Sequence, residues 1–420
     1  MSEYLNALGE RAKKASIILG TLSEEEKNKA IFQIAEDLKI FANEIITSNK
    51  FDVDNLIAGG KGLNMIDRLT LNEKRIEEMA EGAKQVTQLK DPVGEVVESF
   101  TRPNGLVISK VRVPLGVVGI IYESRPNVTV DAAMLCLKAG NAVILRGGSE
   151  AINSNKVLVN VIAKALEKSG LPKDSVQLIE QTDREIATQF MRLNKYVDVL
   201  IPRGGAGLIK AILENATIPV IETGTGNCHV YVDNEADLNI ANDIVINAKT
   251  QRPSVCNAME TLLVDAEIAE EYLPVIAGKL MEKNVEIRGC NRTSEILGSS
   301  GIVLKNADET DWETEYNDLI LAVKVISGVE EAIEHINKYG TRHSECIVSE
   351  NKEKINIFQK KVDAACVYAN ASTRFTDGFE FGYGAEIGIS NQKLHARGPM
   401  GLKELTTIKY IISGTGQIRG

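Results

Sequence analysis

The 420-residue sequence predicts an α/β fold of two parallel-sheet α/β domains plus a β-strand arm that serves oligomerisation. Three observations carry this reading. Strand-like and helix-like runs alternate across residues 116–222, and a second alternation begins near Cys228. Strands separated by helices of this length need right-handed crossovers, which indicate a parallel sheet. Residues 106–113 alternate apolar and polar positions between Pro103 and Pro114, as a half-exposed strand outside the main sheet does.

Residues 1 to about 90 read as helical, because apolar positions within 31–46 recur at three- and four-residue spacing with charges between them. The arm strand, about 104–114, comes next. Strands are then expected at 116–122, 142–146, 176–180, 197–201 and 219–222, with helices at 130–138, 154–168, 184–193 and 208–215. The second alternation runs strand 229–232, helix 238–250, strand 261–264, helix 266–283 and strand 285–288, then strand 319–326 and a helix near 330–338. The tail, 405–413, reads as a strand suited to pair with the arm. The expected domains are 1–226 and 227–375, with 376–420 as a return segment and oligomerisation strand.

Composition narrows the function. Apolar residues make up 44% and charged residues 25%, the values of an ordinary soluble globular chain. Asp and Glu number 58 against 48 Lys and Arg, a net charge of -10, which argues against holding nucleic acid or anionic lipid by bulk charge. The six cysteines, at 136, 228, 256, 290, 346 and 366, form no C-x-x-C pair and read as reduced thiols. The histidines at 229, 335, 343 and 395 show no paired-ligand spacing, so no metal is expected. The N-terminal stretch lacks an apolar signal segment, and the apolar run 115–122 is too short for a membrane helix. A cytoplasmic protein is expected.

Ligands of an open parallel sheet bind in the loops at the carboxyl ends of its strands. Three such loops carry glycine: Gly147, Gly148, Ser149 and Glu150 after the second strand; Gly204, Gly205 and Gly207 after the fourth; Gly224 and Gly226 after the fifth. Glycine lets the backbone approach a phosphate, and a following helix offers free N–H groups. None matches G-x-G-x-x-G, but three together favour a nucleotide.

Cys256 follows Arg252, Pro253 and Ser254. Pro253 should end the preceding helix and Ser254 cap a new one, leaving Cys256 in a first turn where the helix dipole favours a thiolate. Cys136, Cys346 and Cys366 sit in apolar runs and read as core. A last polar region, 370–377 with 382–386 and 395–399, joins glycines to Arg374 and Arg397 and suits a small anionic substrate. No G-x-S-x-G elbow marks a serine hydrolase.

Taken together, Tyr122, Glu123, Ser124, Arg125, Pro126 and Asn127, residues 251–264 around Cys256, and residues 370–393 with 395–399 resemble the aldehyde dehydrogenase superfamily, and within it the γ-glutamyl phosphate reductase family (glutamate-5-semialdehyde dehydrogenases). The resemblance implies an NADP(H)-binding domain, a catalytic domain carrying the cysteine, and a dimerisation arm. It implies Cys256 as nucleophile and Asn127 as an oxyanion ligand. Arg146, Gly147, Gly148, Ser149 and Glu150 fall at the adenosine ribose, where Arg-Gly-Gly replaces the usual Lys-Pro. Gly204 and Gly205 fall at the pyrophosphate, Glu222 at the general base of oxidising relatives, and Glu315 at the nicotinamide ribose. Arg125, Arg374 and Arg397 are the substrate-binding candidates. The implied activity is reduction of L-glutamyl 5-phosphate, with a homodimer, and a separate glutamate 5-kinase acting upstream as a transient partner. An aldehyde-oxidising dehydrogenase and a non-catalytic cofactor-binding subunit remain alternatives.

Overall fold

The computed structural model describes residues 2–419, which form two compact units. The first takes in the chain up to Thr223, then Gly382–Gly388, then the chain from Met400; the second is Gly224–Phe381 with Ile389–Pro399. The chain thus enters the second unit at Gly224, close to the expected residue 226. Within the expected return segment it changes unit at Gly382, Ile389 and Met400.

The first unit opens with α1 (Glu3–Leu19), α2 (Glu24–Ile40), α3 (Ala42–Ala58), α4 (Leu63–Leu69) and α5 (Glu73–Gln88). Helix starts leave backbone N–H groups without partners, and side chains here supply them. Ser2 accepts from the Leu5 N–H, Asn72 from the Arg75 N–H, and Ser23 and Glu26 form a reciprocal capping box. Strands β1 (Val96–Thr101) and β2 (Val107–Pro114) follow. All six residues of β1 are exposed, so no burial alternation marks it in the sequence, and the reading missed it. Along its other edge β2 pairs antiparallel with the C-terminal strand, Thr406–Ser413, in the pairing expected for the tail.

The core sheet comprises β3 (Val117–Tyr122), β4 (Ala142–Arg146), β5 (Val176–Leu178) and β6 (Val199–Arg203). Helices α6 (Pro126–Lys138), α7 (Ile152–Lys168) and α8 (Arg184–Phe190) connect them, and α9 (Ala206–Asn215) follows. The strands are parallel in the order β5-β4-β3-β6, and β3 is buried at every residue, as a strand covered on both faces must be. The chain steps outward from β3 to β5 and then returns to lay β6 on the opposite side of β3. This creates a topological switch point between the carboxyl ends of β3 and β6.

The expected strand at 219–222 does not form; Val220 makes a single bridge with Leu200. Pro219 has no N–H to donate, and the Thr223 hydroxyl takes the next carbonyl of β6, that of Pro202.

The second unit contains β7 (Cys228–Val232), α10 (Leu238–Thr250), β8 (Met259–Asp265), α11 (Ala269–Glu282), β9 (Glu286–Gly289), α12 (Asn291–Ser299) and β10 (Lys305–Asn306). It continues with β11 (Ile320–Ile326), α13 (Val329–Tyr339), β12 (Ser344–Val348), α14 (Lys352–Lys361) and β13 (Cys366–Ala369). Seven parallel strands are ordered β10-β9-β11-β8-β7-β12-β13. Alternate residues of the central strands feed two cores. Val230, Leu262, Val264 and Cys346 join one with α10 and α11, while Tyr231, Leu263 and Ile347 join the other with α13 and α14. A short antiparallel pair, β14 (Ile389–Ser390) and β15 (Gly398–Pro399), completes the unit. Among the described residues no helix is long and apolar enough to cross a membrane.

One buried side chain ties the C-terminal strand to the core of the first unit. Asn141 accepts the Gly116 N–H at 2.8 Å and donates to the Leu405 carbonyl at 2.9 Å, with no exposure to solvent. Asn141→Leu leaves both backbone groups unpaired. It should lower stability by about 1–3 kcal/mol, read as a lower urea midpoint with unchanged slope.

Candidate active site

Cys256 lies between the end of α10 at Thr250 and the start of β8 at Met259. The expected helix capped by Ser254 is absent: residues 253–257 make turns, and the Ala258 N–H closes one on the Val255 carbonyl at 3.0 Å. Strand pairing explains this. Met259 is already in register with Cys228 of β7, which leaves only Asn257 and Ala258 between Cys256 and the strand, too few for a helix to follow. The helix-dipole argument for an acidic thiol falls with the helix.

Backbone contacts hold the turn. A Cβ on Gly226 would stand 1.4 Å from the Cys256 carbonyl oxygen, so only glycine permits this approach. The Cys228 thiol donates to the same carbonyl at 3.2 Å, and Glu315 Oε1 accepts the Gly226 N–H at 2.7 Å. Buried Asn257 donates through Nδ2 to the carbonyls of Arg374 at 3.2 Å and Thr376 at 2.9 Å, and its own carbonyl accepts the Thr373 hydroxyl at 2.7 Å. The half-buried Cys256 is thereby joined to the segment carrying Arg374.

Arg374 supplies a charge to this turn. Its Nε donates to Gln251 Oε1 at 2.7 Å. Burial lowers its pKa, and the anionic form of Cys256 opposes that shift. The same attraction stabilises a Cys256 thiolate without any helix dipole. Arg397 is held elsewhere in this unit, donating to Asp363 Oδ1 at 2.7 Å. Lys249 and Glu260, on either side of the turn, form a fully buried pair at 2.5 Å. Burial pushes Glu260 up to about 7 and Lys249 down, each against the pull of its partner.

The other candidates belong to the first unit. Arg125 stands exposed at the start of α6, and Asn127 in its first turn donates through Nδ2 to Asp131 Oδ2 at 3.1 Å. Arg146 donates to the carbonyls of Gly147 at 2.7 Å and Thr182 at 2.8 Å. Glu150 reaches back to the loop after β3, where Oε1 accepts the Ser124 N–H at 2.9 Å and the Ser124 hydroxyl. Desolvation would raise its pKa, but these bonds and the Arg146 charge outweigh it and leave Glu150 below the usual carboxylate range. Between these residues Gly147 is buried and Ser149 exposed, and Glu222 is half-buried beyond the Val220 bridge.

Glu123 and Gly205 meet at the switch point. Gly205 caps α9, and its N–H is accepted by Glu123 Oε2 at 3.0 Å. A carboxylate of the chain's own therefore occupies the anion position at this helix start, which shows that the loop presents its N–H to an anionic oxygen.

Comparison with known proteins agrees with this layout. The model of the aldehyde dehydrogenase family matches residues 4–289. The gamma-glutamyl phosphate reductase of Clostridium botulinum (strain Eklund 17B / Type B) is 60% identical over 411 residues, 98% of each chain. That of Carboxydothermus hydrogenoformans is 61% identical over 420 residues, covering both chains fully. The chain belongs to the γ-glutamyl phosphate reductases of the aldehyde dehydrogenase family. It is an oxidoreductase of a family that uses a nicotinamide cofactor. The crystal structure of gamma-glutamyl phosphate reductase from Thermotoga maritima superposes with a TM-score of 0.97 at 52% identity, covering 99% of this chain and 100% of that one. An acetylating aldehyde dehydrogenase from Geobacillus thermoglucosidasius, 20% identical, shares the fold at a TM-score of 0.70.

For a family member the informative omissions of the sequence reading are Glu123 and Asn257. Both stand inside motif strings, but their partners are distant in sequence, so only the fold reveals what they bind. The Gly226 contact yields a direct test. Gly226→Ala should displace the Cys256 turn, cutting turnover at least about tenfold and lowering the melting midpoint, measured by steady-state rate and calorimetry.

Proposed function

We propose that this enzyme reduces L-glutamyl 5-phosphate to L-glutamate 5-semialdehyde with NADPH, releasing phosphate, as a cytoplasmic step of proline biosynthesis. The observation that carries the reading is full-length identity of about 60% to reductases of that name. A half-buried cysteine in a braced turn, electrostatically coupled to Arg374, supports it.

The residues divide the work as follows. The Cys256 thiolate attacks the acyl carbon; a C–S bond forms, the C–O bond to phosphate breaks, and a thioester remains on the enzyme. Arg374 favours the thiolate. The Cys256 backbone N–H and, by the family resemblance, the Asn127 amide are the proposed oxyanion donors, each worth about 10²–10³ in rate. Arg125, Arg374 and Arg397 are the proposed contacts for substrate anions; Arg397 must loosen its bond to Asp363 to serve. The nicotinamide cofactor, when bound, supplies the hydride that reduces the thioester. Gly204 and Gly205 would hold its pyrophosphate, Arg146 to Glu150 the adenosine ribose and the NADP phosphate, and Glu315 the nicotinamide ribose. Because the thioester is reduced and not hydrolysed, Glu222 has no water to activate.

The assay runs the reaction backwards. Glutamate semialdehyde should reduce NADP⁺, in preference to NAD⁺, only when phosphate is present; phosphate-independent turnover would mark a hydrolytic aldehyde oxidation. Cys256→Ser should retain less than about a tenth of the rate while still binding cofactor, since an unactivated hydroxyl is a far weaker nucleophile.

The exposed edge of the arm sheet leads to a homodimer. Ile408, Tyr410, Ile411 and Ile412 of the C-terminal strand lie open to solvent, and such a strand invites pairing with a second chain. The α-amine of the substrate can displace its own phosphate intramolecularly, which favours a glutamate 5-kinase acting immediately upstream in transient contact. Light scattering should report a dimer for the enzyme alone and a larger species in its mixture with the kinase; a monomer would refute the arm's role, and no added mass would refute the contact.

A further inference from the structure

Helix α6 is covered almost all round. Of its 13 residues only Asn127 and Asp131 are exposed, and they stand one turn apart on the same face. Asp131 is an unexpected residue for so apolar a helix. Among the described residues its carboxylate has one hydrogen bond, from Asn127 Nδ2 at 3.1 Å, and no cation at ion-pair distance; Arg203 acts on it only through its field. Desolvation pushes its pKa up to about 6, with the Asn127 bond and the Arg203 charge working against the rise. Among the described residues no cation pairs with this exposed carboxylate, so it is open to one from outside. Its use lies outside the fold.

We propose that Asp131 binds the α-ammonium group of the substrate and so selects an amino-acid acyl phosphate over its des-amino counterpart. This rests on the γ-glutamyl substrate and on Asn127 as the oxyanion ligand. The spacing agrees with both. Four residues advance about 6 Å along a helix, and side chains so placed begin about 5–6 Å apart. In an extended glutamyl chain the reactive carbonyl carbon and the α-nitrogen are separated by four bonds, about 5 Å. A carbonyl oxygen held at Asn127 therefore leaves the ammonium within reach of Asp131. The ammonium supplies the cation that the fold withholds, in a charge-assisted hydrogen bond.

The test measures kcat/KM for glutamate semialdehyde and for 5-oxopentanoate, the same aldehyde without the amine, with NADP⁺ and phosphate. Wild type, Asp131→Asn, Asp131→Ala and Asp131→Glu are compared. Asparagine keeps an oxygen to accept from Asn127 but loses the charge. Wild type should prefer the amino aldehyde by about 10- to 100-fold, the range of a hydrogen bond between charged groups. Uncharged variants should lose that preference, mainly through KM, while Asp131→Glu retains part of it. A purely structural role would depress both substrates alike and leave their ratio at the wild-type value. An unchanged ratio in any folded, uncharged variant overturns the assignment. So does a wild type that is indifferent to the amine, which settles the matter even if the uncharged variants fail to fold. A wild type that oxidises neither aldehyde overturns the substrate reading as well, and is thereby told apart from a failure of Asp131 alone.

Discussion

The carbonyl of Cys256 lies against Gly226 with no room for a side chain between them, and the reactive turn is built outward from that contact. Gly226 stands two residues before β7 and Cys256 three before β8, and the two strands enter register at Cys228 and Met259. Packing the two lead-in segments together fixes where the cysteine backbone sits before any side chain is considered. The Cys228 thiol, the Glu315 carboxylate and the Asn257 amide then hold this arrangement from different directions. Each such bond contributes only about 0.5–1.5 kcal/mol, but together they leave the turn few alternatives, and a nucleophile works only when its position is held closely.

The ends of the same segment are pinned by a costlier device. Lys249 and Glu260 have no solvent exposure, so both charges are desolvated, and the opposite shifts of their pKa values record that cost. A well-packed apolar pair would often be as stable. What the ion pair adds is a geometric requirement, because removing either partner strands the other at a cost of about 3–5 kcal/mol. The last turn of α10 and the first residues of β8 must therefore meet in one way, and Glu260 also accepts the Asn317 N–H at 3.1 Å.

Periodicity explains which parts of the fold were readable from sequence. The alternation of strands and helices and the match of 106–113 with 405–413 are local patterns, and they reappear within a few residues of where they were expected. Where a strand carries an unusual burden the pattern fails. β1 has no buried face, and β12 buries Ser344 and Glu345 in its first positions, the carboxylate accepting both the N–H and Nδ1 of His229. Cys256 stood out among six cysteines because its neighbours are polar and helix-breaking. The helix assigned to it was wrong because a Pro-Ser signal is local, whereas the register of β7 with β8 is not. The same limit hid Glu123 and Asn257, whose partners are Gly205 and Arg374, the latter more than a hundred residues away.

Neither unit is a continuous stretch of chain. The first lacks its last strand until Thr406–Ser413 has been made, because β2 can pair along that edge only with residues almost three hundred positions downstream. During synthesis the emerging chain must therefore keep β2 and its apolar residues waiting while the whole second unit leaves the ribosome. Contacts of such long sequence separation close slowly, and an unpaired strand edge is where nascent chains aggregate. Completion of the arm sheet thus waits on residues 406–413, and a chain that stops short of them loses that sheet together with the Asn141 bond that anchors it.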